Sequence, residues 1–246
     1  MASGITVGFK FREQLWKRLL WNVLYRNTTI RVSIASLIKI KHNNKVILVR
    51  NFHRPELFSP IGGVNKYYST AKPFLDKIEW YDEIPSKNSH KKRLNCDLRG
   101  FIPAKYLFSL LKWYLSSKER EENSLYREIK EELNEIGLND ILSDFDVPQF
   151  SLLRRISEGP YALVGKSYKQ FRLFNIYEFS NEYLSDSKFV SKLIRKVNTN
   201  SNLILVDYEE IKQGRAKNNM ILGANSEYLF SLKKYRSEDI PWSTKK

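Results

Sequence analysis

The stretch SLYREIKEELNEIGL, residues 124–138, constrains this chain more than any other. On a helix advancing about 100° per residue, Glu128, Glu131, Glu132 and Glu135 fall within a wedge of roughly 100°. Leu125, Ile129, Leu133 and Ile136 form a separate apolar stripe beside it. One face must enter a core while its neighbour carries four carboxylates. Ser124 is placed to cap this helix and Gly137 to end it. The pairs Glu128–Glu132 and Glu131–Glu135 are like-charged at i, i+4, and Glu128–Glu131 and Glu132–Glu135 at i, i+3. Each such pair costs about 0.2–0.5 kcal/mol where an opposite pair would gain as much. Only Arg127 and Lys130 stand among them. The spacing leaves two readings open: a solvated charged face, or a face whose oxygens hold a hard dication such as Mg2+ or Mn2+.

The acids gather against the balance of the whole chain, which has 42 Lys and Arg against 27 Asp and Glu and a formal net charge of +15. That excess favours phosphate-bearing partners such as nucleotides, nucleic acid or an anionic membrane surface, although a basic protein without such a partner has the same composition. The single cysteine, Cys96, excludes an internal disulfide and a Cys-rich metal site. His42, His53 and His90 are scattered, which argues against a histidine zinc site. A reducing, cytoplasmic setting is expected. There is no run of 18 apolar residues to span a membrane, and the start, MASGITVGFK, lacks the apolar core of a signal peptide. A natural N-terminal extension would add membrane association to that expectation.

Along the chain, residues 10–25 predict an amphipathic helix, read as packing on its own domain within a segment 1–29, with a membrane or partner surface as the alternative. Residues 30–40 and 45–51 are β-branched runs joined by HNN and predict a hairpin. A turn-rich loop with Gly62-Gly63 at its centre follows. Residues 64–100 read as irregular, with a short strand near 75–81 and a basic KKR at 91–93. A helix is expected at 104–117, then strands at 149–157, 170–179 and 202–206. A short helix from Asp207 to Gly214 and a last helix at 225–235 complete the chain. No repeat or Pro-, Gly- or Ser-rich linker divides it, and the mixed order predicts an α/β (α+β) class with helices layered around a mixed sheet.

Arg127-Glu128-Ile129-Lys130-Glu131-Glu132 resembles the R-E-apolar-x-E-E heart of the Nudix hydrolases. Glu119 lies eight positions before Arg127, as in that signature, with Glu121 and Glu122 competing for the same role. Gly137-Leu138 resembles the closing Gly-apolar pair, displaced by three residues. Pro60-Ile61-Gly62-Gly63 resembles the family's Pro-Gly-Gly turn with one extra residue. Two departures stand out. Trp113 occupies the position of the signature glycine, and the Gly-Gly turn lies some 55 residues before Glu119 instead of about five. The resemblance therefore implies a Nudix-like α/β/α sandwich over 30–246 whose Nudix loop is split by an insertion at about 64–118. Asp97-Leu98-Arg99-Gly100-Phe101-Ile102-Pro103, followed by Leu111-Lys112-Trp113-Tyr114, further resembles the Nudix domains encoded beside bacterial oligonucleotide cyclases in antiphage (CBASS) operons.

The resemblance implies a hydrolase that cleaves a nucleoside diphosphate linked to another moiety by attack of water on phosphorus, with Mg2+ or Mn2+ as cofactor. It assigns Glu128, Glu131 and Glu132 as metal ligands, with Glu119 as a further one, and leaves Glu128 the alternative of orienting or deprotonating the water. Arg127 would brace the helix through a carboxylate. Gly62 or Gly63 would lend a carbonyl to the metal or simply make the turn. Glu178 is a candidate extra acid, with ordinary surface polarity as the alternative. Arg54, Lys66 and Arg99 are candidates for holding phosphates, and Tyr67, Tyr68, Trp80, Trp113 and Phe150 for stacking on a base. A competing reading is a module that senses a nucleotide or cyclic oligonucleotide with little or no turnover. Charge alone suggests a third, an RNA-binding or decapping-type protein.

Overall fold

The computed structural model describes residues 25–83, 96–116, 119–121, 124–145, 148–180, 183 and 187–230, with Ser124 described by its backbone alone. In chain order the elements are β1 (Thr29–Lys39), β2 (Lys41–His42), β3 (Lys45–Asn51), β4 (Arg54–Ser59), β5 (Gly62–Val64), α1 (Lys72–Lys77), β6 (Tyr81–Asp82), β7 (Arg99–Pro103), α2 (Leu107–Ser116) and α3 (Ser124–Glu135). They continue with α4 (Asn139–Leu142), β8 (Phe150–Ala162), β9 (Lys169–Phe179), α5 (Lys188–Val197), β10 (Leu203–Val206), α6 (Tyr208–Gln213) and β11 (Ile221–Leu222). One sheet has the order β6-β7-β1-β9-β8 with β5 also on β1; the other has β10-β3-β4-β11 with β2 on β3. Parallel β11–β4 beside antiparallel β3–β4 makes the strand layer mixed.

The chain forms two compact units: residues 1–33, 66–121 and 160–171, and residues 34–65, 122–159 and 172–246. In the first, Thr29–Ser33 of β1 pairs antiparallel with Arg99–Pro103 of β7. Ile30, Val32, Leu75, Trp80, Ile102, Leu110, Trp113 and Tyr114 are buried there.

In the second unit, strand alternation sorts the side chains into two cores. Ile38 and Ile40 of β1, Ile47 and Val49 of β3 and Phe179 of β9 meet Leu125, Ile129 and Leu133 of α3, Ile141 of α4 and Phe189 and Leu193 of α5. Ala35 and Leu37, Val46 and Leu48, and Phe174 and Ile176 face the other way, against Ile211 of α6 and Tyr228 and Leu229 of a 3-10 turn. Helices therefore cover both faces of a central mixed strand layer, the α/β/α sandwich expected. The apolar stripe of α3 is buried as its spacing predicts, and Gly137, at φ 76°, ends the helix. Asp207 caps α6 in a capping box with Glu210, and Gly214 closes it.

Several expectations are corrected. The hairpin at HNN is real only at its tip, where Lys41 and His42 pair with Val46 and Lys45. β1 itself joins the other sheet, because it is buried on both faces and takes partners on both edges. The strand expected near 75–81 is helix α1 with strand only at Tyr81–Asp82, since Pro73 at the first helical turn favours helix initiation. The described residues within 64–100 are more regular than expected, with α1, β6 and the start of β7 at Arg99. The helix expected at 225–235 is a 3-10 turn at Ala224–Leu229 as far as the described residues reach. The helix expected at 10–25 and the KKR at 91–93 lie outside the described residues.

Because Ile129 anchors α3 in this core with no exposed surface, Ile129→Ala is expected to cost about 2–5 kcal/mol. Urea unfolding followed by circular dichroism would measure it.

Candidate active site

The site is built where α3 meets the glycine turn. Gly62, Gly63 and Val64 pair antiparallel with Leu37, Ser36 and Ala35 of β1, which holds the turn under the carboxylate face of α3. Gly62 has φ 143°, and a Cβ there would lie closer than 3.0 Å to the Ser36 carbonyl oxygen and Leu37 Cα. Gly63 is required for another reason: a Cβ on it would lie closer than 3.0 Å to both carboxylate oxygens of Glu128. The two glycines therefore do different work. The first makes the turn, and the second leaves the space that the Glu128 carboxylate fills.

The four-carboxylate face divides. Glu128 and Glu132, nearest the apolar stripe, are half-buried against the turn, while Glu131 and Glu135 are exposed. The Gly62 amide donates to Glu132 Oε1 at 3.3 Å. Arg127 Nη1 donates to Glu128 Oε1 at 2.7 Å and to Glu131 Oε2 at 3.1 Å, and its Nη2 donates to the Val64 carbonyl at 3.3 Å. Arg127 thus ties the helix to the turn and offsets the like-charge repulsion along it. Glu128 and Glu131 already converge on one positive charge.

Gly62, Gly63, Arg127, Glu128, Glu131 and Glu132 are brought together. The other predicted residues make contacts of their own. Glu119 belongs to the first unit, where its Oε2 accepts the Trp113 indole N–H at 2.9 Å and its carbonyl accepts the Tyr68 amide. Glu121 lies in the same unit and donates its amide to the Lys66 carbonyl, while Glu122 is outside the described residues. Lys66 and Arg99 are also in the first unit, in a bridge to Asp97 and on β7. Arg54 is exposed at the β3–β4 turn, its amide on Asn51 Oδ1. Glu178 shares a strand face with Phe174 and Ile176, away from α3. On that face burial and the nearby Arg154 hold the Lys39 ammonium below its usual range, against the attraction of Glu178. Of the five stacking candidates only Tyr68 is exposed. Tyr67 and Trp80 are buried with their polar atoms on Asp82, Trp113 stacks on Phe74, and Phe150 stacks on Phe179.

Sequence reasoning missed a polar row on the α3 face of the strands. Ser36 and Asn65 are buried and bonded to each other at 2.8 Å. Asn175 is buried on β9, with Arg155 of β8 donating to it. The available signal was a small polar residue interrupting an apolar strand, as Ser36 interrupts IRVSIASLIKI and Asn175 interrupts QFRLFNIYEF.

A family model for the SMODS-associated NUDIX domain matches residues 29–230. The chain belongs to this family. The SMODS-associated NUDIX domains are linked to antiphage CBASS systems, and membership supports a Nudix-type hydrolase acting on nucleotide-linked substrates, in a family that typically uses divalent metal cofactors. Neither a curated protein nor a solved structure matches the chain. Among the described residues, no group of three or more His, Cys, Asp or Glu side chains is gathered closely enough to hold a metal ion, and no helix is long and apolar enough to cross a membrane. The donors at this NUDIX turn are carboxylate oxygens, those of Glu128 and Glu132 against the glycines and that of Glu131 on the Arg127 fork.

The two glycines make opposite demands on a substitution. Gly62→Ala is expected to destabilise by about 2 kcal/mol or more, because backbone blocks the new methyl and φ is unfavourable. Gly63→Ala meets only the end of a flexible side chain, so it is expected to cost under about 1 kcal/mol while expelling the Glu128 carboxylate. Thermal melts of the two variants, with a crystal structure of Gly63→Ala, would check both.

Proposed function

We propose that this SMODS-associated NUDIX domain is a metal-dependent hydrolase that cleaves a nucleoside diphosphate-linked substrate, as an effector of antiphage defence. The observation that carries this reading is the Glu128 carboxylate lodged in the space of the missing Gly63 side chain, with Glu132 on the Gly62 amide beside it. A surface helix has no need to seat two carboxylates on a glycine turn.

In this reading Glu128, Glu131 and Glu132 hold Mg2+ or Mn2+, which neutralises phosphate oxygens and lowers the pKa of water. Arg127 keeps Glu128 and Glu131 aimed at one place through its fork and keeps α3 on the turn through Val64. Glu128, the most enclosed of the acids bonded to Arg127, is also placed to orient the attacking water or take its proton. Gly63, without a side chain, leaves the room in which that carboxylate sits beside the turn. Arg54, exposed in the same unit as α3, would supply positive charge to the phosphates.

The test is a panel of nucleoside diphosphate derivatives, dinucleoside polyphosphates and cyclic oligonucleotides with Mg2+ or Mn2+. Nucleoside monophosphate release is expected from a diphosphate-linked member, reduced about 100-fold or more in Glu131→Gln and Glu132→Gln. Unchanged turnover in both variants would refute the assignment. Tight binding of a cyclic oligonucleotide with no product would mark the domain as a sensor instead.

A further inference from the structure

Arg155 projects from β8 on the strand face that carries α3, and it is exposed. Its Nε donates to Asn175 Oδ1 at 3.1 Å. Asn175 is 1% exposed, and its Nδ2 donates in turn to the Ala35 carbonyl at 3.4 Å. A buried amide thus grips the guanidinium by its inner nitrogen and roots it in the backbone of β1. Among the described residues neither Nη of Arg155 has a partner. The fork is oriented but unspent, a costly arrangement for a surface arginine that only needed solvation.

The position relates this fork to the glycine turn. Ala35 pairs in register with Val64, and Ser36 with Gly63, the residue against which Glu128 lies. Strand order then runs from β5 through β1 and β9 to β8. Strands are about 4.8 Å apart, so β5 and β8 are separated by about 14 Å, and an arginine reaching back to β9 closes several ångströms of that span. What remains is short enough for a diphosphate group to bridge from a carboxylate-bound cation to the fork. Between them the strands carry a buried polar row, Ser36, Asn65 and Asn175, whereas the same strands turn apolar one step further along at Ile38 and Tyr177.

We propose that the Arg155 fork, held by Asn175, grips the oxyanion of a phosphate group of the substrate while the scissile anhydride lies at the α3 carboxylates. The proposal rests on the hydrolase reading for its substrate class, but the grip itself is an anion contact that needs no turnover.

Calorimetric titration with ADP, in EDTA and again with Mg2+, tests it. Arg155→Ala is expected to weaken ADP binding about 10- to 100-fold in both buffers, since a charge-assisted bidentate contact is lost. Arg155→Lys should recover only part, because one ammonium does not reproduce the fork. Lys212→Ala, which removes the same charge from an exposed position on α6, should leave the affinity within about twofold. Equal affinity in wild type and Arg155→Ala, an equal loss in Lys212→Ala, or no ADP binding by the wild type would each overturn the proposal. If Arg155→Ala loses ADP while Glu131→Gln and Glu132→Gln turn over like wild type, the roles given to those carboxylates fail and the anion grip stands.

Discussion

The seating of one carboxylate in the place of a side chain organises this domain. Glu128 occupies the volume that any residue other than glycine at position 63 would fill. α3 can approach the turn closely because no side chain at position 63 claims that volume, and it is drawn there by its apolar stripe. Burying Leu125, Ile129 and Leu133 contributes about 1.5–3 kcal/mol each as an upper estimate. The four like-charged pairs along the same helix oppose this by about 0.2–0.5 kcal/mol each. Burial wins comfortably, and the helix can carry a carboxylate face that would be a liability on an isolated helix.

Arg127 makes that surplus usable. Within the described residues it contacts two carboxylates and the turn's backbone at once. It acts as an internal counter-ion and as a strut. Its half-buried setting leaves its ion pairs less screened than an exposed pair would be. Such an arginine keeps the Glu128 and Glu131 carboxylates convergent.

The charge of the chain fits this division of labour. The chain carries a net charge of +15, yet α3 gathers a small acidic focus. Phosphate-bearing molecules are attracted by the whole and repelled by the focus alone, so a dication or a cationic side chain must mediate the last contact. On the strand face below α3, apolar Ile38 and Tyr177 give way to the buried polar Ser36 and Asn175, and Asn175 in turn holds the exposed Arg155.

Much of this was legible in the residues. The 3.6-residue period of α3, its stop at Gly137, the β-branched runs of β1, β3 and β9 and the Asp207 to Gly214 helix all express local preferences that neighbours did not override. So did the grouping of Arg127, Glu128, Glu131 and Glu132, because spacing on one helix decides which side chains share a face. Local reasoning misplaced the strand at 75–81, where Pro73 started a helix, and extended the HNN hairpin along strands that part into separate sheets. Sequence by itself determined the carboxylate face and the glycine turn. Only the tertiary structure decided that Gly63 receives Glu128, that Arg127 reaches Val64, and that Asn175 holds Arg155, since these contacts join segments 20 to 65 positions apart and depend on strand register and helix approach, neither of which a linear pattern encodes.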